Sequence, residues 1–326
     1  MTMLGPDLNW ATILEVSWGK AIAFSTLLLL PISSPDFPLK NSPDGSQDFL
    51  TQCNQLDQLP ADIQHTFQVL LEEVNTDDCQ VAYENLAQRT SLDLSDRQLT
   101  NLSPIAPFTQ LESLRLGQNY ISDLQPLANL THLLELYLLD NQVIDLTPIS
   151  QLKNLQTLYL DNNHIQNLSP IESLDSLMIL YANSNRIDDL IGVEKLTKIE
   201  QIYLANNRIN TVEELRSLSQ LTHLDLGHNR LTQVEPISSL LNLVELDLSQ
   251  NQISNVNALS TLQSLVVFNL QSNPLLQKHC PIFPATVCLF SDDAADLYQL
   301  GTEQLEQGKF AEALATFQAA LQVYQT

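Results

Sequence analysis

His223, Asp225, Glu245 and Asp247 are the residues of this 326-residue chain whose types and spacing come closest to chemistry. They stand two apart within each pair and 22 apart between pairs. If each pair lies on a short strand and the strands are neighbours, all four side chains share one face within roughly 5–7 Å. Oxygen and imidazole groups at that separation can hold a divalent cation. A flat sheet converges poorly on a cation, so the reading adopted is a polar rim that sets partner charge, with no metal and no cofactor assigned. His279 beside Cys280 is the other base-and-nucleophile pair. Chain neighbours rarely face each other productively, and a disulfide at Cys280 removes the thiolate. No GxSxG, HExxH or kinase signature occurs. Glycine numbers only 8, and neither GxGxxG nor GxxxxGK[ST] is present, so no loop cradles phosphate. The chain is expected to be no enzyme, with no catalytic residue.

Charge narrows the partners. Lys and Arg total 14 against 38 Asp and Glu, a formal net charge of −24. Such a surface repels phosphate, which argues against nucleic acid and anionic membranes. Hydrophobic residues make up 44% and charged residues 16%, which excludes wholesale disorder. The polar surface must be built largely of Asn, Gln, Ser and Thr.

The spacing of 22 extends through the whole middle of the chain. The template L-x-x-L-x-L-x-x-N-x-I-x-x-L-x-P-L-x-x-L-x-x starts at Arg89, Leu111, Leu133, Leu155, Leu177, Ile199, Leu221, Leu243 and Leu265 without insertion. Asn fills position nine from Asn119 to Asn273, and only Arg97 breaks the series. Pro fills position sixteen at Pro104, Pro126, Pro148, Pro170 and Pro236. Apolar residues at positions four and six have the period of a half-buried strand. One repeat cannot bury its own Leu and Ile set, so neighbours must stack into one core with a parallel sheet about 4.8 Å between strands. A buried Asn needs hydrogen-bond partners, and its assigned role is structural, at the turn leaving the strand. Pro at position sixteen fits the first position of a short helical turn on the outer side.

Positions three, five and seven then point away from the core. Position five reads Asp93, Arg115, Tyr137, Tyr159, Tyr181, Tyr203, Asp225, Asp247 and Asn269, so four of the eight tyrosines form one row. Leu139 and Ile179 add apolar area beside it. Tyr is also a strong strand former and a stacked row stabilises itself. Exposed aromatics with apolar neighbours are nonetheless the composition of a protein-binding hot spot. The partner-binding set is therefore Tyr137, Tyr159, Tyr181, Tyr203, Leu139 and Ile179, with His223, Asp225, Glu245 and Asp247 as its polar rim. Arg186, Arg208 and Arg230 share position ten with Lys195, Lys198 and Arg216 nearby, interleaved with Asp188, Asp189, Glu194, Glu213 and Glu214. Solvated ion pairs account for that strip.

On these residues the chain resembles the leucine-rich repeat family, in its 22-residue class found in bacterial internalins and related eukaryotic phosphatase regulators. The resemblance covers about residues 89–275. It implies an α/β solenoid of nine repeats with a parallel sheet on a concave, partner-binding face, and it implies no activity. The function expected is a non-catalytic protein–protein interaction scaffold, the alternative being a structural surface or envelope protein without a specific soluble partner.

A solenoid needs its ends covered. Pro60 to Asn75 reads as an amphipathic helix, and Thr76, Asp77 and Asp78 offer caps for a second helix through Leu86. Cys53 and Cys79 flank this region, and Cys280 and Cys288 follow the last repeat. The absence of CxxC argues against a zinc ribbon or thioredoxin-type site. Two readings stay open: free thiols in a cytoplasmic protein, or two local disulfides, Cys53–Cys79 and Cys280–Cys288, the pairing favoured here. Similar two-cysteine endings follow the last repeat in some bacterial members of the family. Residues 21–32 form an apolar run of signal-peptide length, too short to span a membrane. Its flanks are imperfect, with Lys20 the only basic residue ahead of it, Asp7 and Glu15 in the leader, and no A-x-A site. Export to the periplasm or outside is expected, with a cytoplasmic location as the alternative.

The last stretch resembles one tetratricopeptide repeat: Leu300, Gly301, Gly308, Phe310, Ala313, Phe317 and Ala320 stand at that family's spacing, with Gln325 where Pro is usual. A simple helical hairpin covering the cap is the plainer alternative. The domains expected are a leader at 1–40, a helical cap at 41–88, the solenoid with its closing cap at 89–290 and the hairpin at 291–326. A lone hairpin leaves apolar residues bare, so it is expected to dock on the Cys280–Cys288 cap of a monomer, with tail-mediated dimerisation as the alternative.

Overall fold

The computed structural model describes residues 45–277, 279–290 and 294–325. The leader expected at 1–40 lies outside them. Each repeat contributes one three-residue strand: β1 (Ser91–Asp93), β2 (Ser113–Arg115), β3 (Glu135–Tyr137), β4 (Thr157–Tyr159), β5 (Ile179–Tyr181), β6 (Gln201–Tyr203), β7 (His223–Asp225), β8 (Glu245–Asp247) and β9 (Val267–Asn269). All pair in parallel and in sequence order, each residue opposite the one 22 positions on, as Tyr137 is opposite Tyr159. Position four, the middle of each strand, is buried throughout, from Leu92 to Phe268, at no more than 2% exposed. A tenth strand, β10 (Cys288–Leu289), adds to β9 with Cys288 opposite Phe268. It lies outside the template, so the nine-strand expectation falls one short.

On the outer side each coil returns through a short 3₁₀ turn such as Ser103–Ile105. Pro104 is its second residue rather than its first, with Ser103 ahead of it. The Asn ladder closes the turn at the strand's end. Asn163 Oδ1 accepts the Val143 N–H at 2.8 Å, while its Nδ2 donates to Leu138 O at 2.9 Å and Leu160 O at 3.1 Å. The residue before each ladder Asn is left-handed without being glycine, among them Asp140 (φ 55), Asn162 (φ 55) and Asn206 (φ 57). That conformation costs free energy in an L-residue, and the Asn bonds offset it.

The N-terminal cap has three helices: α1 (Ser46–Cys53), α2 (Ala61–Glu73) and α3 (Cys79–Leu86). α2 is the amphipathic helix expected at 60–75, shorter at both ends. Asp78 caps α3, its Oδ1 accepting from the N–H groups of Gln80 and Val81. The sequence pattern did not show α1, whose Phe49 packs on Phe67 and on Phe108 with ring centroids 5.1 and 5.4 Å apart. Phe108 belongs to the first repeat, so this aromatic cluster closes the solenoid's core. Disulfides Cys53–Cys79 and Cys280–Cys288 both form.

The tail is a helix pair, α4 (Ala294–Glu306) and α5 (Phe310–Gln325). A Cβ at Gly301 would lie 2.7 Å from the Phe317 ring, which explains the glycine: the helices touch there. Leu297, Ala319 and Ala320 bury against Leu289, with Val267 and Leu300 packed alongside. The tail therefore rests on the last two strands of the sheet, next to the disulfide cap. Leu305, Phe310, Leu314 and Leu321 remain exposed. Among the described residues no helix is long and apolar enough to cross a membrane.

Candidate functional site

The strands place positions three and five on the concave side while position four enters the core. Because every coil has the same length, residues 22 apart stand side by side. Tyr137, Tyr159, Tyr181 and Tyr203 consequently stack face to face at 4.5, 4.6 and 4.3 Å, with neighbouring planes within 10°. Offset-stacked rings gain about 0.5–1.5 kcal/mol per pair beyond area burial. The guanidinium of Arg115 sits 4.5 Å above the Tyr137 ring and covers that end of the row. Tyr137 Oη donates to Glu135 at 3.4 Å and Tyr203 Oη to Gln201 at 3.3 Å. Burial raises the hydroxyl pKa of Tyr137, Tyr159 and Tyr203, and the carboxylate of Glu135 beside Tyr137 and the Tyr181 ring beside Tyr203 add to it. The phenols of Tyr137, Tyr159 and Tyr203 are therefore neutral donors on the exposed side of the sheet.

Leu139 and Ile179 are both half-buried beside the row. Leu139 fills the space over Gly117, where a Cβ would lie 3.0 Å from it. Position seven points outward less than expected: Ser249 and Gln271 are 8% and 7% exposed. Ser249 turns its hydroxyl onto Asp247 Oδ1 at 2.6 Å instead of presenting it to a partner.

His223, Asp225, Glu245 and Asp247 do come together. They line one cavity of about 220 Å³ with Tyr203, Asn269 and, across from the sheet, Ala315, Gln318 and Ala319 of α5. The carboxylates of Asp225 and Asp247 both lean over Gly227, where an added Cβ would meet an oxygen of each at 3.2 Å. Asp247 is held by Asn269 Nδ2 at 2.8 Å and Asp225 by the Gly227 N–H at 2.9 Å. Burial and the neighbouring Asp247 charge push Asp225 up to about 7, against the Gly227 hydrogen bond, with Asp161 adding to the rise. Asp161 is itself raised by burial, although it accepts the Asn183 N–H at 2.7 Å. Among the described residues no group of three or more His, Cys, Asp or Glu has the arrangement of a metal site. Of the basic strip, Arg216 pairs with Glu213 at 3.0 Å, both mostly exposed.

A raised carboxyl pKa has a definite sign. The native state keeps a proton on Asp225 that the unfolded chain has already released, so stability falls as pH rises from about 4 to 7 and the penalty is complete above 7. The groups around it are Asp247 and Glu245 on β8, His223 on its own strand, Tyr203 on β6, Asp161, and Gln318 of α5. Asp225→Asn should therefore stabilise the protein by about 1–3 kcal/mol at pH 8 and by much less at pH 5. Urea unfolding at the two pH values checks it, and an equal change at both would show that Asp225 is not the group held protonated.

Sequence reading missed three contributors: Arg115 at the ladder's end, Asp161 whose charge reaches Asp225, and the α5 wall. Arg115 was visible in position five immediately before the tyrosines. Nothing in the periodic pattern places α5.

The leucine-rich repeat profile (two copies) matches residues 131–175, 197–239 and 219–261. No curated protein matches the chain. The solved internalin C2 of Listeria monocytogenes is similar at 30% identity and a TM-score of 0.58, over 62% of this chain and 91% of that one. A second solved internalin of the same organism (inlF) is 22% identical over 69% of this chain and 92% of that one, with a TM-score of 0.37. The profile recurs at the repeat's own spacing, and the internalin C2 likeness runs over 91% of that molecule at 30% identity, so the chain belongs to the leucine-rich repeat family.

Proposed function

We propose that this chain is a non-catalytic, exported scaffold that binds a partner protein on its concave face, centred on the tyrosine row. The observation that carries the reading is the stack of four half-buried tyrosine rings on adjacent strands, with Leu139 and Ile179 beside it. Rigid aromatics ordered before binding lose little side-chain entropy on contact, which favours them at hot spots. Export is supported by the two disulfides, which persist in oxidising compartments. The helix pair reads as one tetratricopeptide-like hairpin closing the C-terminal end.

The test is quantitative capture by the full chain beside the variant Tyr137→Ala, Tyr159→Ala, Tyr181→Ala, Tyr203→Ala. These side chains point away from the core, so the variant should keep its strand signal by circular dichroism. A specific protein retained by the native chain and reduced at least tenfold by the variant is expected. Identical captured sets, or no specific protein, would leave the structural surface role instead.

A further inference from the structure

The tyrosine stack has two ends, and they differ. At the Tyr137 end, Arg115 supplies a planar cation 4.5 Å from the ring centroid. At the Tyr203 end, the next residue of the row is Asp225, whose short side chain leans over Gly227. The Tyr203 ring, stacked on Tyr181 on one side, therefore borders the 220 Å³ cavity on the Asp225 side. That cavity contains three carboxylates, Asp225, Glu245 and Asp247, and its lining includes no Lys or Arg. Resting on the concave-face reading above, we propose that this end of the ladder seats one arginine side chain of the partner protein.

The chemistry follows the arrangement already present at the other end. A guanidinium is planar, so it can lie on a tyrosine face, and it is more weakly hydrated than an ammonium. Its edge carries several N–H donors that can reach two carboxylates at once. Asp225 and Asp247 both lean over Gly227, and a cation between them and Tyr203 offsets the burial and the Asp247 repulsion that otherwise hold a proton on Asp225. Ala315 and Ala319 give the cavity a small-residue roof, and Gln318 adds an amide side chain to its lining. With a net charge of −24, the chain also attracts a basic segment from a distance.

The experiment uses the full chain with ¹³C-labelled tyrosine at 150 mM salt. The probe is the peptide acetyl-Gly-Gly-Arg-Gly-Gly-amide, and its twin carries citrulline, which keeps the shape and loses the charge. Saturable shifts of the Tyr203 ring resonances with the arginine peptide, at least tenfold weaker with citrulline, are expected. Asp225→Asn with Asp247→Asn should weaken the arginine peptide at least tenfold. Glu72→Gln with Asp77→Asn, which removes two exposed charges in the N-terminal cap, should change it less than twofold. Equal binding of the citrulline peptide, an equal loss from the distant pair, or an unresponsive Tyr203 would each overturn the subsite. If the arginine peptide fails while the tetra-tyrosine variant still loses its captured protein, the subsite is wrong and the concave-face reading stands. If the peptide binds at Tyr203 while capture ignores the tyrosines, the larger reading is wrong and the subsite stands.

Discussion

Replacing Asn163 with alanine should lower the unfolding free energy by about 3–5 kcal/mol, one of the two largest effects expected of any change in this chain. The residue is 4% exposed. Its Oδ1 takes the N–H of Val143, and its Nδ2 serves the carbonyls of Leu138, Leu160 and Asp161. Alanine would leave the Val143 N–H without its partner and take one donor from each of three carbonyls on two successive coils; Leu138, Leu160 and Asp161 would keep only Asn141 Nδ2, Asn185 Nδ2 and the Asp140 N–H. The orphaned N–H costs about 1–3 kcal/mol and each lost carbonyl bond about 0.5–1.5, and the left-handed turn at Asn162 loses its support. Urea denaturation checks it. Asn273→Ala provides the internal comparison, because that position is only part-buried at the end of the series. Its cost should be clearly smaller. A loss under 1 kcal/mol at Asn163, or equal losses at both, would contradict the ladder as the main tie between coils.

Removing the Cys53–Cys79 bridge as a Ser pair should cost about 3–4 kcal/mol, because the 26-residue separation sets a large loop entropy in the unfolded chain. Removing Cys280–Cys288, with a separation of 8, should cost roughly 2.5. The first bridge joins the end of α1 to the start of α3. Without it, Phe49 is free to leave Phe67 and Phe108, and the first repeat's core opens at that end. Hydrogen exchange should accordingly quicken in α1 and β1 before it does in β4 or β5. Uniform exchange along the array, or a larger loss from the shorter loop, would show that the bridge does not govern the cap.

These expectations separate what the repeats specify from what the ends specify. Stacked coils of constant length convert sequence position into spatial position. The spacing of 22 was therefore sufficient for the parallel sheet, its register, the Asn ladder, the row from Tyr137 to Tyr203, and the meeting of His223, Asp225, Glu245 and Asp247. The same logic did not reach the left-handed residue at position eight. Backbone sign there depends on how the turn closes, and Gln, Ser and His occupy it as readily as Asn.

Outside the array no period translates position into place. Helix α1, strand β10 and the seat of α5 on Val267 and Leu289 are settled by the fit of non-repeating surfaces, to which each side chain contributes once. The cavity beside Tyr203 shows both halves together. Its floor follows from the repeat, because residues 22 apart must be neighbours. Its roof of Ala315, Gln318 and Ala319 exists only because the folded tail finds the apolar end of the sheet, a contact between residues about 30 to 50 positions apart that no local pattern encodes.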